Sequence, residues 1–141
     1  MRRSIMTAAG VTAAALAISL STSGSAQATQ AGLDSGAKSC ITTGASGVMS
    51  YSNYWGPGYT INLKFTLTDT QADGNSVALR LVSKDTFGRV HLWKWNKNTQ
   101  GNGKTSTWNT TASHMNGLFD IGLEVARLNS DGSVKNICTK W

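Results

Sequence analysis

Apolar and polar residues alternate with a period of two along much of this chain. Between Thr60 and Thr68, Ile61, Leu63, Phe65 and Leu67 share one side, and Asn62, Lys64, Thr66 and Thr68 share the other. That spacing predicts a half-buried β-strand. Val77, Leu79 and Leu81 repeat it, and Val90 and Leu92 follow a hairpin-like Asp85-Thr86-Phe87-Gly88. Phe119, Ile121, Leu123 and Val125 form the second clean case. Asn129-Ser130-Asp131-Gly132 reads as a turn, and Val134 to Thr139 as the last strand. Shorter strands are expected at Gly47–Ser52 and Lys104–Trp108. No stretch of useful length carries the helical period. About seven short strands separated by Gly, Asn and Asp turns predict an all-β domain with one solvated side per sheet. A small antiparallel β-sandwich is the expected architecture; a small closed β-barrel shares the same local pattern.

The first 28 residues break this pattern. Arg2 and Arg3 precede an apolar run from Val11 to Leu20, which leads to Ser25-Ala26-Gln27-Ala28. A basic start, a short apolar centre and an A-x-A exit predict a secretory signal peptide over 1–28. The run is too short to span a bilayer, and no second one follows, so no transmembrane segment is expected in the mature chain. Residues 29–39 are small and polar and read as a flexible leader. Residues 40–141 are then one domain.

Export changes the meaning of the two cysteines. Cys40 and Cys138 lie near the two ends of the domain. In an oxidising compartment such a pair is expected to form a disulfide. It would tie the first strand to the last and protect two sheet edges.

Charge points more weakly. Without Arg2 and Arg3, 11 of the 13 Lys and Arg remain against 7 Asp and Glu, a net charge of +4. This favours anionic polymers without demanding them. Arg89, Lys94, Lys97 and Lys104 surround Trp93 and Trp95 in sequence, an interleaving suited to an anionic polymer. Nucleic acid is not the expected partner, because no recognised motif accompanies the charges.

Aromatic residues supply the main candidate site. Trp93, Trp95 and His91 lie two apart and would share one face of a strand as a platform for the apolar faces of sugar rings. Tyr54, Trp55 and Tyr59 gather around Gly56-Pro57-Gly58 in an apparent loop. The competing reading places these rings in the core or over the sandwich ends, as expected for Trp108 and Trp141.

Catalytic chemistry is not expected. Asp120 and Glu124 would stand about 13 Å apart along a strand, wider than glycoside hydrolysis uses. No metal-ligand spacing, nucleophile elbow or phosphate loop is present, and neither metal nor cofactor is expected. Asp69 to Gly74 matches part of a calcium loop but has Arg80 where a bidentate Glu belongs, and so reads as a tight turn.

Asp69-Thr70-Gln71-Ala72-Asp73-Gly74 leading into Val77-Ala78-Leu79-Arg80, Phe119-Asp120-Ile121-Gly122 and the closing Cys138-Thr139-Lys140-Trp141 resemble small secreted proteins of actinomycetes. The resemblance implies secretion and one terminal disulfide, and it carries no functional residue across. The expected function is a secreted, non-catalytic module that binds extracellular polysaccharide or a cell-wall polymer through exposed aromatics. The alternatives are a protein-directed factor, such as a protease inhibitor or toxin-like protein, and a structural surface protein. The sequence leaves the oligomeric state open.

Overall fold

The period-two segments fold as antiparallel strands, because each can bury one side only against a second apolar sheet face. The computed structural model describes residues 35–141; the expected signal peptide and most of the leader lie outside the described residues. The strands are β1 (Gly36–Thr42), β2 (Ala45–Ser52), β3 (Ile61–Asp69), β4 (Val77–Lys84), β5 (Val90–Leu92), β6 (Asn96–Asn98), β7 (Thr105–Ala112), β8 (Asp120–Leu128) and β9 (Val134–Lys140). One sheet has the order β1-β2-β3-β7. In the other, β4 pairs on one side with β8 and on the other with the short strands β5 and β6 in succession, and β9 flanks β8. Every pairing is antiparallel. Neither sheet closes on itself or on the other, so the architecture is a β-sandwich and not a barrel.

Two expected boundaries move. Gly36 to Ser39, read as leader, pair with Tyr51 to Val48 as the start of β1. The domain therefore begins before Cys40. Asn96–Asn98, too polar to announce a strand, pairs with β4 as β6.

The core lies between the sheets. Met49 on β2, Ile61, Leu63, Phe65 and Leu67 on β3, Val77, Leu79 and Leu81 on β4, and Ile121, Leu123 and Val125 on β8 form one buried cluster. Trp108 packs on its margin, as its expected packing role requires. Cys40 on β1 and Cys138 on β9 are disulfide-bonded, with Cα atoms 5.9 Å apart. The bridge joins an outer strand of one sheet to an outer strand of the other. Cys40 stands opposite Gly47, and Cys138 opposite Val125. A Cβ on Gly47 would lie 2.5 Å from Val125 Cγ2, so the sheets meet closely beside the bridge because Gly47 has no side chain.

Candidate aromatic site

Trp93 and Trp95 do not form the expected platform. Leu92 pairs with Val82 and Asn96 with Leu79, so four steps along β5–β6 face three along β4. This is one extra residue, a bulge, and it reverses the alternation. Trp93 turns inward onto the core, where its Nε1–H donates to Ser83 Oγ at 3.0 Å. Trp95 turns outward and covers Ala78, Ala126 and Leu128 on the outer face of the sheet. Arg80 lies 4.2 Å from the Trp95 ring centroid and donates to Glu124 at 2.7 Å. Trp95 is therefore one layer of a stack that lids the outer face of β4 and β8. Trp141, expected in packing, is 41% exposed and lies beneath Lys84 on that same face.

His91 belongs to a different constellation. Asp85 is almost wholly buried at the end of β4. It accepts from the amides of Phe87 and Arg89, from the Arg89 guanidinium and, at 3.0 Å, from His91 Nε2. Burial alone would raise its pKa; the His91 contact, the two amides and the Arg89 side chain outweigh that and hold the carboxyl well below the usual range. The His91 ring packs against His114, with centroids 4.1 Å apart. His114 Nδ1 in turn accepts from the Asn116 amide.

These contacts lock three loops together at one end of the sandwich: 53–60, 85–89 and 113–119. The Leu118 amide donates to Pro57 O, the Thr86 amide to Asn116 O, and the Phe119 amide to Lys84 O. Tyr54 is half-buried here, donating its hydroxyl to Leu118 O at 2.6 Å. Burial, then the nearby Asp120 and Tyr51, raises the Tyr54 pKa above the ordinary tyrosine value. Tyr54 is an anchor and not a free contact. Trp55 and Tyr59 are each 55% exposed. Asn53 sets their loop. It takes a left-handed φ of 66°, which Asn tolerates better than most residues. Its side chain donates to Thr60 O and accepts from Trp55 Nε1 at 2.8 Å. The Tyr59 amide closes the turn on Gly56 O. Phe119, Phe87 and Met115 add exposed apolar surface at this end. Phe119, expected as the first inward residue of its strand, instead precedes β8 and is half exposed, because the chain there still belongs to the loop that pairs with Lys84 O; Phe87 and Met115 carry no periodic signal.

The basic residues are dispersed. Arg89 is held by Asp85 at the loop end. Lys97 is exposed on β6, Lys94 lies between β5 and β6, and Lys104 sits in the loop before β7. Lys97 and Asp69 border a polar depression at the opposite end of the sandwich. There Asp69 accepts from the Gln71 amide, Asp73 is paired with Arg127, and Gly74 takes a φ of 73°. That is the tight turn expected of the segment. Asp120 and Glu124 both face outward from β8 and are paired with Lys84 and Arg80.

Compared with protein-family models, curated proteins and solved structures, the chain matches none. Among the described residues no helix is long and apolar enough to cross a membrane.

Proposed function

We propose that this protein is a secreted, non-catalytic module that binds extracellular polysaccharide or a cell-wall polymer through the aromatic loop end. The observation that carries the proposal is the exposure of Trp55 and Tyr59 on a loop held by the Asn53 side chain, the Trp55 indole and the Tyr59 amide. Such rings stack on the apolar faces of sugars at little ordering cost. Covering the exposed halves of two rings is worth roughly 5 kcal/mol before association costs, so affinity is modest per contact and gains from a repeating ligand. The disulfide fits an oxidising compartment, which supports export.

The test is co-sedimentation with insoluble chitin, cellulose and bacterial cell wall at low and high salt. The wild-type protein should leave the supernatant with at least one of them, and salt should not prevent it. The double variant Trp55→Ala/Tyr59→Ala should remain in solution with an unchanged circular-dichroism spectrum, whereas Trp95→Ala should still sediment. Retention of the double variant on the polymer would overturn the proposal, as would no sedimentation of the wild type. A protein-directed role is the second reading. It is favoured by Met115 and Phe87, 93% and 71% exposed, which suit a protein surface better than a sugar.

A further inference from the structure

The outer face of the β1-β2-β3-β7 sheet is a second surface, and it is built without rings. Strand register sets its composition. Ser50 on β2 pairs with Lys64 on β3, and Lys64 with Asn109 on β7; one row further, Ser52 pairs with Asn62, and Asn62 with Thr111. Directly paired residues point to the same side of a sheet, and so do residues two apart. These six therefore form a grid of two rows and three columns. At ordinary sheet spacings it measures about 10 Å by 7 Å, the footprint of one or two sugar rings. All six are exposed, and together they line a depression of about 550 Å³.

Two properties of this grid bear on what it can bind. Its side-chain polar groups are unspent. Among the described residues none of the six side chains donates or accepts a hydrogen bond within the protein, whereas Thr68 and Thr105, further along the same face, bond each other at 2.8 Å. Its charge is also one-sided. Lys64 forms no ion pair among the described residues, and no Asp or Glu points outward from β1, β2, β3 or β7. Lys84, Arg80, Arg89 and Arg127 all have carboxylate partners on the molecule.

We infer that this depression is a binding site for an anionic, polyhydroxylated polymer, a sugar or polyol chain bearing carboxylate or phosphate, with the anion on Lys64. The amides of Asn62 and Asn109 and the hydroxyls of Ser50, Ser52 and Thr111 supply both donors and acceptors to ligand hydroxyls. A lysine ammonium serves either anion as a point charge. Recognition here is by hydrogen bonds and charge, so it weakens as salt rises. The inference does not rest on the loop-end aromatics.

Binding of the purified protein to soluble polygalacturonate, to polyglycerol phosphate and to neutral dextran tests it. The wild type should prefer at least one acidic polymer over dextran; which one identifies the carboxylate or the phosphate as the natural anion. Lys64→Gln should weaken that binding about tenfold, and Lys64→Arg should restore most of it. Lys97→Gln, which removes an equal charge from the other sheet, should leave affinity within about twofold. Trp55→Ala/Tyr59→Ala should keep the acidic-polymer binding even if it loses the insoluble glycans. No preference for either acidic polymer would overturn the inference. So would equal losses in Lys64→Gln and Lys97→Gln, since binding would then follow net charge alone.

Discussion

Asp85 shows how much one buried side chain organises. Its carboxylate fastens two amides of its own loop, the Arg89 side chain and His91, and through His91 it reaches His114 on another loop. Its folded pKa lies below the ordinary carboxylate value near 3.9, so its stabilising effect is complete above that value. As pH falls below about 4 the unfolded chain takes up the proton first, and the contribution is lost toward the lower folded pKa. Asp85→Asn should therefore lower the melting temperature at pH 7, and the gap from wild type should narrow on acidification. Thermal unfolding of both proteins at pH 7 and near pH 2.5 checks this; a constant gap would contradict the assignment. The sequence displays Asp85, Arg89 and His91 within seven residues, but their convergence depends on a loop geometry that no periodicity reports. Trp55 and Tyr59 were legible as loop aromatics. Tyr54 beside them was indistinguishable until its hydroxyl was seen to bond Leu118 and Phe119.

Strands were legible in proportion to their burial on one side only. β3 and β8 announce themselves because inward positions must be apolar and outward ones need not be. β1 and β6 were silent for opposite reasons. On β1 only Cys40 is buried. On β6, Asn98 is buried but polar, and its side chain donates to Leu67 O and Lys104 O. The bulge between β5 and β6 was unreadable, since alternation is inferred by assuming that no residue is inserted. That assumption alone placed Trp93 beside Trp95. The close contact of β2 with β8 makes a sharper claim. Val125 is β-branched and cannot swing aside freely, so Gly47→Ala should cost about 1–3 kcal/mol by overpacking. Urea unfolding of Gly47→Ala, Val125→Ala and the double variant forms the cycle. Val125→Ala should relieve the strain, giving a favourable coupling between the two changes, and simple additivity would refute it.

At the scale of the molecule the sandwich is fastened along one side. Cys40 and Cys138 join β1 to β9, whereas the β7 and β5–β6 side is held by packing of Trp93 and Trp108 and by the Asn98 contacts. The bridge spans 98 positions. A loop of that length gives roughly 4–5 kcal/mol in the chain-entropy view, an upper figure. Cys40→Ser/Cys138→Ser should lose up to that amount in urea unfolding and melt at a lower temperature, and reduced wild type should approach it. A difference below about 1 kcal/mol would mean that the sheets' own packing fixes their spacing.

The same bridge also decides how the domain carries load. Tension applied outside the two cysteines runs from β1 across the sulfurs into β9 and never reaches the strands between them. Among the described residues, only the stretch up to Ser39 and Thr139 to Trp141 can be peeled away before a covalent bond takes the pull. The aromatic loop end and the polar sheet face both lie inside the shielded stretch. Under a pull between the two chain ends both surfaces would keep their shape, until a reductant cut the link and the strands began to unzip.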